Sequence, residues 1–226
     1  MVITHILRSE NLADPTDLAR LRAVSRGMCE AVTATGREIK EMIQQEAAQH
    51  GCLSTLIHLF RRGRLFRKKI CETAARFGQL ETLRWARAKG CPWGARTCAF
   101  AAEGGHLEVL QWADEKRCPW DERTCKYAAM GGHLEVLHWA RANGCPWSAN
   151  TCSCAAQGGH LEVQQWARPN GCPWNELACA YAAKGGNLEM LRWAHANGCP
   201  WDVMTCEQAR RKGHDELLNW AIGCPH

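Results

Sequence analysis

The chain has 226 residues, is 46% hydrophobic and carries a formal net charge of +5, enough length for a sizeable core. No apolar run approaches the roughly 18 residues of a transmembrane helix, and the opening MVITHILRSENLADPTD lacks the basic region and apolar core of a secretory signal. Those two absences predict an intracellular protein of the cytoplasm or nucleus, with no membrane association.

Residues 1–38 form a segment of their own. Asp14 and Pro15 make a helix start, with Asp as N-cap, Pro at the first helical position and Asp17 at the third. Leu18, Leu21 and Val24 then line one face. The run from Ile6-Leu7 through Pro15 to Arg26 resembles the F-box, a short helical motif. The resemblance implies docking onto a Skp1-like adaptor through Ile6, Leu7, Pro15, Leu18, Leu21 and Val24. The other reading of the segment is an N-terminal helical cap, which shields the first apolar face of a stacked array.

A 27-residue period begins at Ile39. Ala47-Ala48 recurs as Ala74-Ala75 and Ala101-Ala102, and Gly51, Leu53, Thr55 and Leu56 return as Gly78, Leu80, Thr82 and Leu83. Charge is concentrated at this end: residues 1–70 hold 12 Lys+Arg against 7 Asp+Glu, whereas residues 71–226 hold 16 of each. Six of those cations fall between Arg61 and Lys69. Such a cluster is a nuclear-import signal, a polyanion contact or a solvated repeat edge.

From Cys91 onward the repeat is plain. Cys-Pro-Trp starts at Cys91, Cys118, Cys145, Cys172 and Cys199, and a second series, Trp85, Trp112, Trp139, Trp166, Trp193 and Trp220, keeps the same period. A fixed period between about 20 and 50 residues marks a stacked-repeat protein. Each copy reads as two short helices. In the copy starting at Trp93, Cys98, Ala101 and Ala102 share a face of a first helix over about 95–103. Gly104-Gly105 closes it, and His106-Leu107-Glu108 opens a second helix with Glu at its positive end. Leu107, Leu110, Trp112 and Ala113 supply the second helix with an apolar face. Asn-Gly, as at Asn143-Gly144, ends it before a Pro that cannot continue a helix. Helices this short are marginal alone, so neighbouring copies must bury one another.

The motif AA-x-GGHLEVL-x-WA resembles the core of the ankyrin repeat. Ankyrin repeats run about 33 residues and include a β-hairpin finger, which Cys-Pro-Trp and three or four residues replace here. The sequence is similar to the compact, finger-poor arrays of algae, protists and large DNA viruses. The fold class expected is all-α: a right-handed solenoid of about seven ankyrin-like helix-turn-helix repeats (39–65, 66–92, 93–119, 120–146, 147–173, 174–200 and 201–225) behind an N-terminal helical cap. The last copy, with Arg210 and Asp215 where others have Ala and Leu, reads as a polar terminal repeat.

Twelve of the 15 cysteines occupy two repeated positions. Equivalent cysteines of successive copies stand about a helix diameter, roughly 8–10 Å, apart, beyond the roughly 7 Å Cα limit for a disulfide. Free, buried thiols are therefore expected, with no zinc at Cys152 and Cys154. His106, His133, His160 and His214, with Asn187 in register, cannot share one metal ion at that spacing. Asn187, a strong N-cap residue, points to a capping or turn role. No G-x-S-x-G, phosphate loop or H-E-x-x-H is present, and periodic residues do not make the single asymmetric constellation of an active site. The expectation is a non-enzyme without cofactors.

Three neighbouring first-helix positions vary from copy to copy and form a strip. Phe100, Tyr127 and Tyr181 are its aromatic anchors, joined by Glu103, Lys126, Met130, Gln157 and Lys184. The predicted function is a monomeric protein-binding scaffold that takes a protein partner on this concave face. The alternative is the substrate-recognition subunit of a Skp1–cullin–F-box-type ubiquitin ligase. Nucleic-acid binding is disfavoured because the repeats are neutral and phosphate binding needs an extended basic surface.

Overall fold

The structure is a computed structural model that describes residues 44–223, apart from 64, 66 and 68. The proposed N-terminal cap and the adaptor-docking residues Ile6, Leu7, Pro15, Leu18, Leu21 and Val24 lie outside the described residues. All regular structure among the described residues is helical. The helices fall into two compact units divided between Thr97 and Cys98.

The first unit contains a helical stretch over 44–49 followed by α1 (Leu53–Arg61), α2 (Ile70–Arg76) and α3 (Leu80–Ala88). Small residues at the period's Ala-Ala positions, Ala47, Ala48, Ala74 and Ala75, are fully buried. Leu56, Ile70 and Leu83 fill the space between them. Of the basic cluster, Arg61, Arg62, Arg67 and Lys69 are exposed, and the Arg67 guanidinium lies 5.5 Å from the centroid of the Phe60 ring.

Helix α4 (Ala95–Glu103) crosses the division and leads into the second unit. There α5 (Leu107–Glu115), α6 (Glu122–Gly131), α7 (Leu134–Ala142), α8 (Ala149–Gly158), α9 (Leu161–Ala167), α10 (Glu176–Gly185), α11 (Leu188–Ala196), α12 (Val203–Lys212) and α13 (Asp215–Gly223) follow in pairs. One pair sits in each 27-residue interval. The first helices α6, α8, α10 and α12 pack successively on one another, and each also packs on its own second helix. Their contact faces are small: Ala128, Ala129, Ala155, Ala156, Ala182 and Ala183 show no exposed surface, which lets helix axes approach closely. Second helices bury larger side chains, such as Val136, Leu137, Met190 and Leu191.

Local chemistry fixes the helix ends. Asp121, Asn175 and Asp202 are extended N-caps that accept hydrogen bonds from the backbone N–H groups of Arg123, Leu177 and Met204, and Ser148 and Thr151 form a capping box. These satisfy donors that a helix start leaves unpaired. The turn before Cys-Pro-Trp is left-handed throughout the array. Gly90, Gly144, Gly171 and Gly198 have φ between 73 and 83°, and Arg117, standing where they do, is forced to 56°.

The tryptophans do not form the innermost core. All eleven Trp are half-buried, and within repeats they meet edge-on. Ring centroids are 5.4 Å apart for Trp120–Trp139, 5.7 Å for Trp147–Trp166 and 5.9 Å for Trp174–Trp193. That geometry suits the aromatic quadrupole better than a face-to-face sandwich. In the last repeat Arg210 and Asp215 are exposed, and so are Val203 at 71% and Ile222 at 65%.

Candidate partner-binding face

What holds the first helices in register is a side chain that reads backbone. His133 Nε2 lies 2.8 Å from the carbonyl oxygen of Glu103, His160 Nε2 3.0 Å from that of Met130, and Asn187 Nδ2 3.1 Å from that of Gln157. His214 repeats the contact with the Lys184 carbonyl at 3.4 Å, and Gln79 does so with Gln49 at 3.1 Å in the first unit. Each residue stands at the start of a second helix and reaches the residue 30 positions earlier, in the last turn of the preceding first helix. The expected capping role is thus only half met. His133, His160 and Asn187 occupy N-cap positions, yet their side chains make no cap hydrogen bond. They satisfy instead the carbonyls that a helix C-terminus leaves orphaned.

Glycines from two successive Gly-Gly pairs make room for this contact. A Cβ on Gly105 would lie 2.6 Å from His133 Nδ1, and one on Gly131 would lie 2.6 Å from His133 Cδ2 and 2.7 Å from the Glu103 carbonyl oxygen. Two glycines therefore clear the space around one ring.

This arrangement constrains the backbone of Glu103, Met130, Gln157 and Lys184 and leaves their side chains free to differ. It gives the variable strip a physical origin. Within the second unit, Phe100 and Glu103 lie on α4, Lys126, Tyr127 and Met130 on α6, Gln157 on α8, and Tyr181 and Lys184 on α10. Phe100 and Tyr127 are in ring contact at 6.2 Å. The Lys126 ammonium lies 5.7 Å from the Tyr127 ring centroid, and Lys184 lies 5.5 Å from that of Tyr181. All three aromatic residues are half-buried and Gln157 is exposed.

The strip is narrower than the sequence suggests. Ala99, Ser153 and Ala180 are at most 2% exposed, and Cys154 is 7% exposed. The first of the three varying positions turns toward the neighbouring first helix, so small residues there are packing choices. Lys126 is long enough to reach out past them. Between Tyr127 and Tyr181 the strip dips at Cys154, whose thiol burial pushes above its ordinary range.

Two features escaped the reading of periodicity. Arg87, Arg141 and Arg168, in the last turns of α3, α7 and near α9, lie 4.2, 4.2 and 4.0 Å from the ring centroids of Trp93, Trp147 and Trp174. Each also donates to the carbonyl of the intervening cysteine, Cys91, Cys145 or Cys172. The 27-residue spacing of Arg141 and Arg168 was the available signal. The second feature is cysteine pairing within a repeat: Cys152 Sγ and Cys172 Sγ are 3.1 Å apart. The spacing argument compared equivalent cysteines of successive repeats. It missed that antiparallel helices bring the two cysteine positions of one repeat together. The thiols are free.

No described helix is long and apolar enough to span a membrane, and among the described residues no three His, Cys, Asp or Glu side chains cluster as metal ligands. No protein-family profile and no curated protein matches the sequence. Among solved structures, the ankyrin repeat domain of human ASB11 superposes with a TM-score of 0.57 over 81% of this chain and 99% of that one, at 16% identity. The fold is the ankyrin-repeat fold. Its helix pairs are present here on a 27-residue period, and the ankyrin-like turn Gly-Gly-His-Leu-Glu-Val is the segment that carries the inter-repeat hydrogen bond.

Proposed function

We propose that this ankyrin-type array is a non-enzymatic scaffold that binds a protein partner across its first helices. Phe100, Tyr127 and Tyr181 act as anchors, and Glu103, Lys126, Met130, Gln157 and Lys184 surround them. The observation that carries the reading is the division of labour along α4, α6, α8 and α10. Their backbones are fixed by the next repeat while these side chains vary from copy to copy. Half-buried aromatic rings flanked by lysines offer apolar area at little conformational cost, as binding hot spots do. The adaptor-docking alternative rests on residues 5–32 of the sequence.

The test compares proteins captured by the full chain with those captured by the Tyr127→Ala/Tyr181→Ala double variant and by a Glu135→Ala/Glu162→Ala control on the exposed starts of α7 and α9. The tyrosine variant should keep its helical circular dichroism and lose the specific partner, a change of about 2 kcal/mol or more in affinity. The control should keep that partner. Undiminished capture by the tyrosine variant would refute this face.

A further inference from the structure

The buried core contains cysteine pairs that the proposed binding face does not use. In the repeat spanning 147–173, Cys152 on α8 donates its thiol hydrogen to Cys172 Sγ at 3.1 Å, and both side chains are fully buried. The Cys125 thiol points at the Cys145 carbonyl, 3.9 Å away, and the Cys98 and Cys179 thiols are pushed up by their neighbours Cys118 and Cys199 together with burial. In the first unit the Cys71 thiol points at the Cys91 carbonyl, 3.9 Å away. Every pair is 20 residues apart in sequence and lies inside one repeat.

The members of a pair differ. The hydrogen bond from Cys152 holds the Cys172 thiol below its ordinary range against the opposing effect of burial, and the Arg168 guanidinium assists. Donating that bond, together with burial, pushes Cys152 up. Cys145 and Cys199 are lowered in the same way by Cys125 and Cys179. Each low member also sits at the edge of an exposed turn. Pro169, Asn170, Gly171 and Pro173 around Cys172 are all exposed, so opening the turn uncovers the sulfur without unfolding the helices.

We propose that each pair is a site of reversible disulfide formation by a small peroxide, linking the first helix of a repeat to its Cys-Pro-Trp turn. In the 147–173 repeat the Cys172 thiolate attacks a peroxide oxygen. The S–O bond forms, the O–O bond breaks, and the departing hydroxide leaves as water with the thiol's proton. Cys152 sulfur then attacks the Cys172 sulfenic sulfur, forming S–S and breaking S–O, and the proton of Cys152 departs with the hydroxyl as a second water. The two thiols are oxidised by two electrons in all, and hydrogen peroxide is reduced to two waters. The Cys152 and Cys172 sulfurs are already in contact at 3.1 Å, well inside the reach that disulfide closure requires, and each bond closes a loop that limits the unfolded chain.

The experiment uses the reduced, folded full chain treated with hydrogen peroxide. The remaining thiols are then alkylated in denaturant, and linked peptides are mapped by mass spectrometry. The expected product has Cys152–Cys172, Cys125–Cys145, Cys98–Cys118 and Cys179–Cys199 linkages, with Cys154 alkylated, and a Tm above that of the reduced protein that falls back on adding reductant. Cys172→Ser should leave Cys152 alkylatable while the other linkages form. The wild-type map decides the matter even if that variant fails to fold. Fully alkylatable cysteines after peroxide, linkages between equivalent positions such as Cys125–Cys152, or over-oxidation to sulfinic acid without linkages would each overturn the proposal.

Discussion

Arg117 is the residue at which this array departs most plainly from its own rule. The turn before Cys-Pro-Trp demands a left-handed backbone, which glycine supplies at Gly90, Gly144, Gly171 and Gly198, yet Arg117 holds φ at 56°. A Cβ in that region carries a cost of about 1–3 kcal/mol, so Arg117→Gly should stabilise the chain. Glycine's greater freedom in the unfolded state offsets part of the gain. Urea melts should show a net increase of about 1 kcal/mol with an unchanged m-value, and a decrease would mean that the Arg117 side chain contributes more than its backbone costs. The turn itself was legible in the sequence because Asn-Gly and Pro punctuate it in most copies. The strain at Arg117 follows from the same comparison, since one copy lacks the glycine that the others share.

At the scale of the element, the unit of construction is the Gly-Gly-His turn together with the helix end it touches. Its helices were legible because the period repeats the same local signals several times, so a first helix over about 95–103 corresponds to α4 and a second opening at His106-Leu107-Glu108 corresponds to α5, with His106 as its N-cap. The partners of the histidines were not. His133 meets a carbonyl 30 residues earlier, and no local rule of capping or periodicity names an acceptor in another repeat. The cysteine pairs were hidden for the same reason, because they depend on how two helices fold back on each other. The turn also predicts a specific coupling. Gly105→Ala places a Cβ 2.6 Å from the His133 ring at a φ of +75°, and should cost about 2 kcal/mol or more. His133→Ala removes one hydrogen bond, about 1 kcal/mol. The double variant should be less destabilised than the sum, since the clash disappears with the ring. Strict additivity in denaturant melts would show that the two residues do not share this space.

At the scale of the whole molecule, stacking and recognition are assigned to different chemistry on the same helices. Backbone carbonyls at Glu103, Met130, Gln157 and Lys184 are taken by the next repeat, and alanines make the contacts between first helices. Side chains on the remaining strip can then differ without disturbing the array. That logic could be anticipated from which positions vary, but the true width of the strip could not. Variation at Ala99, Ser153 and Ala180 looks like surface variation in the sequence, and only their burial identifies it as packing. The most direct test of the central claim is amide hydrogen exchange of the full chain with and without its captured protein partner. Binding across the first helices predicts slowed exchange, centred on 100–103, 126–130, 154–157 and 181–184. Protection confined to the second helices, Leu107–Glu115, Leu134–Ala142 and Leu188–Ala196, with the first helices unchanged, would contradict it.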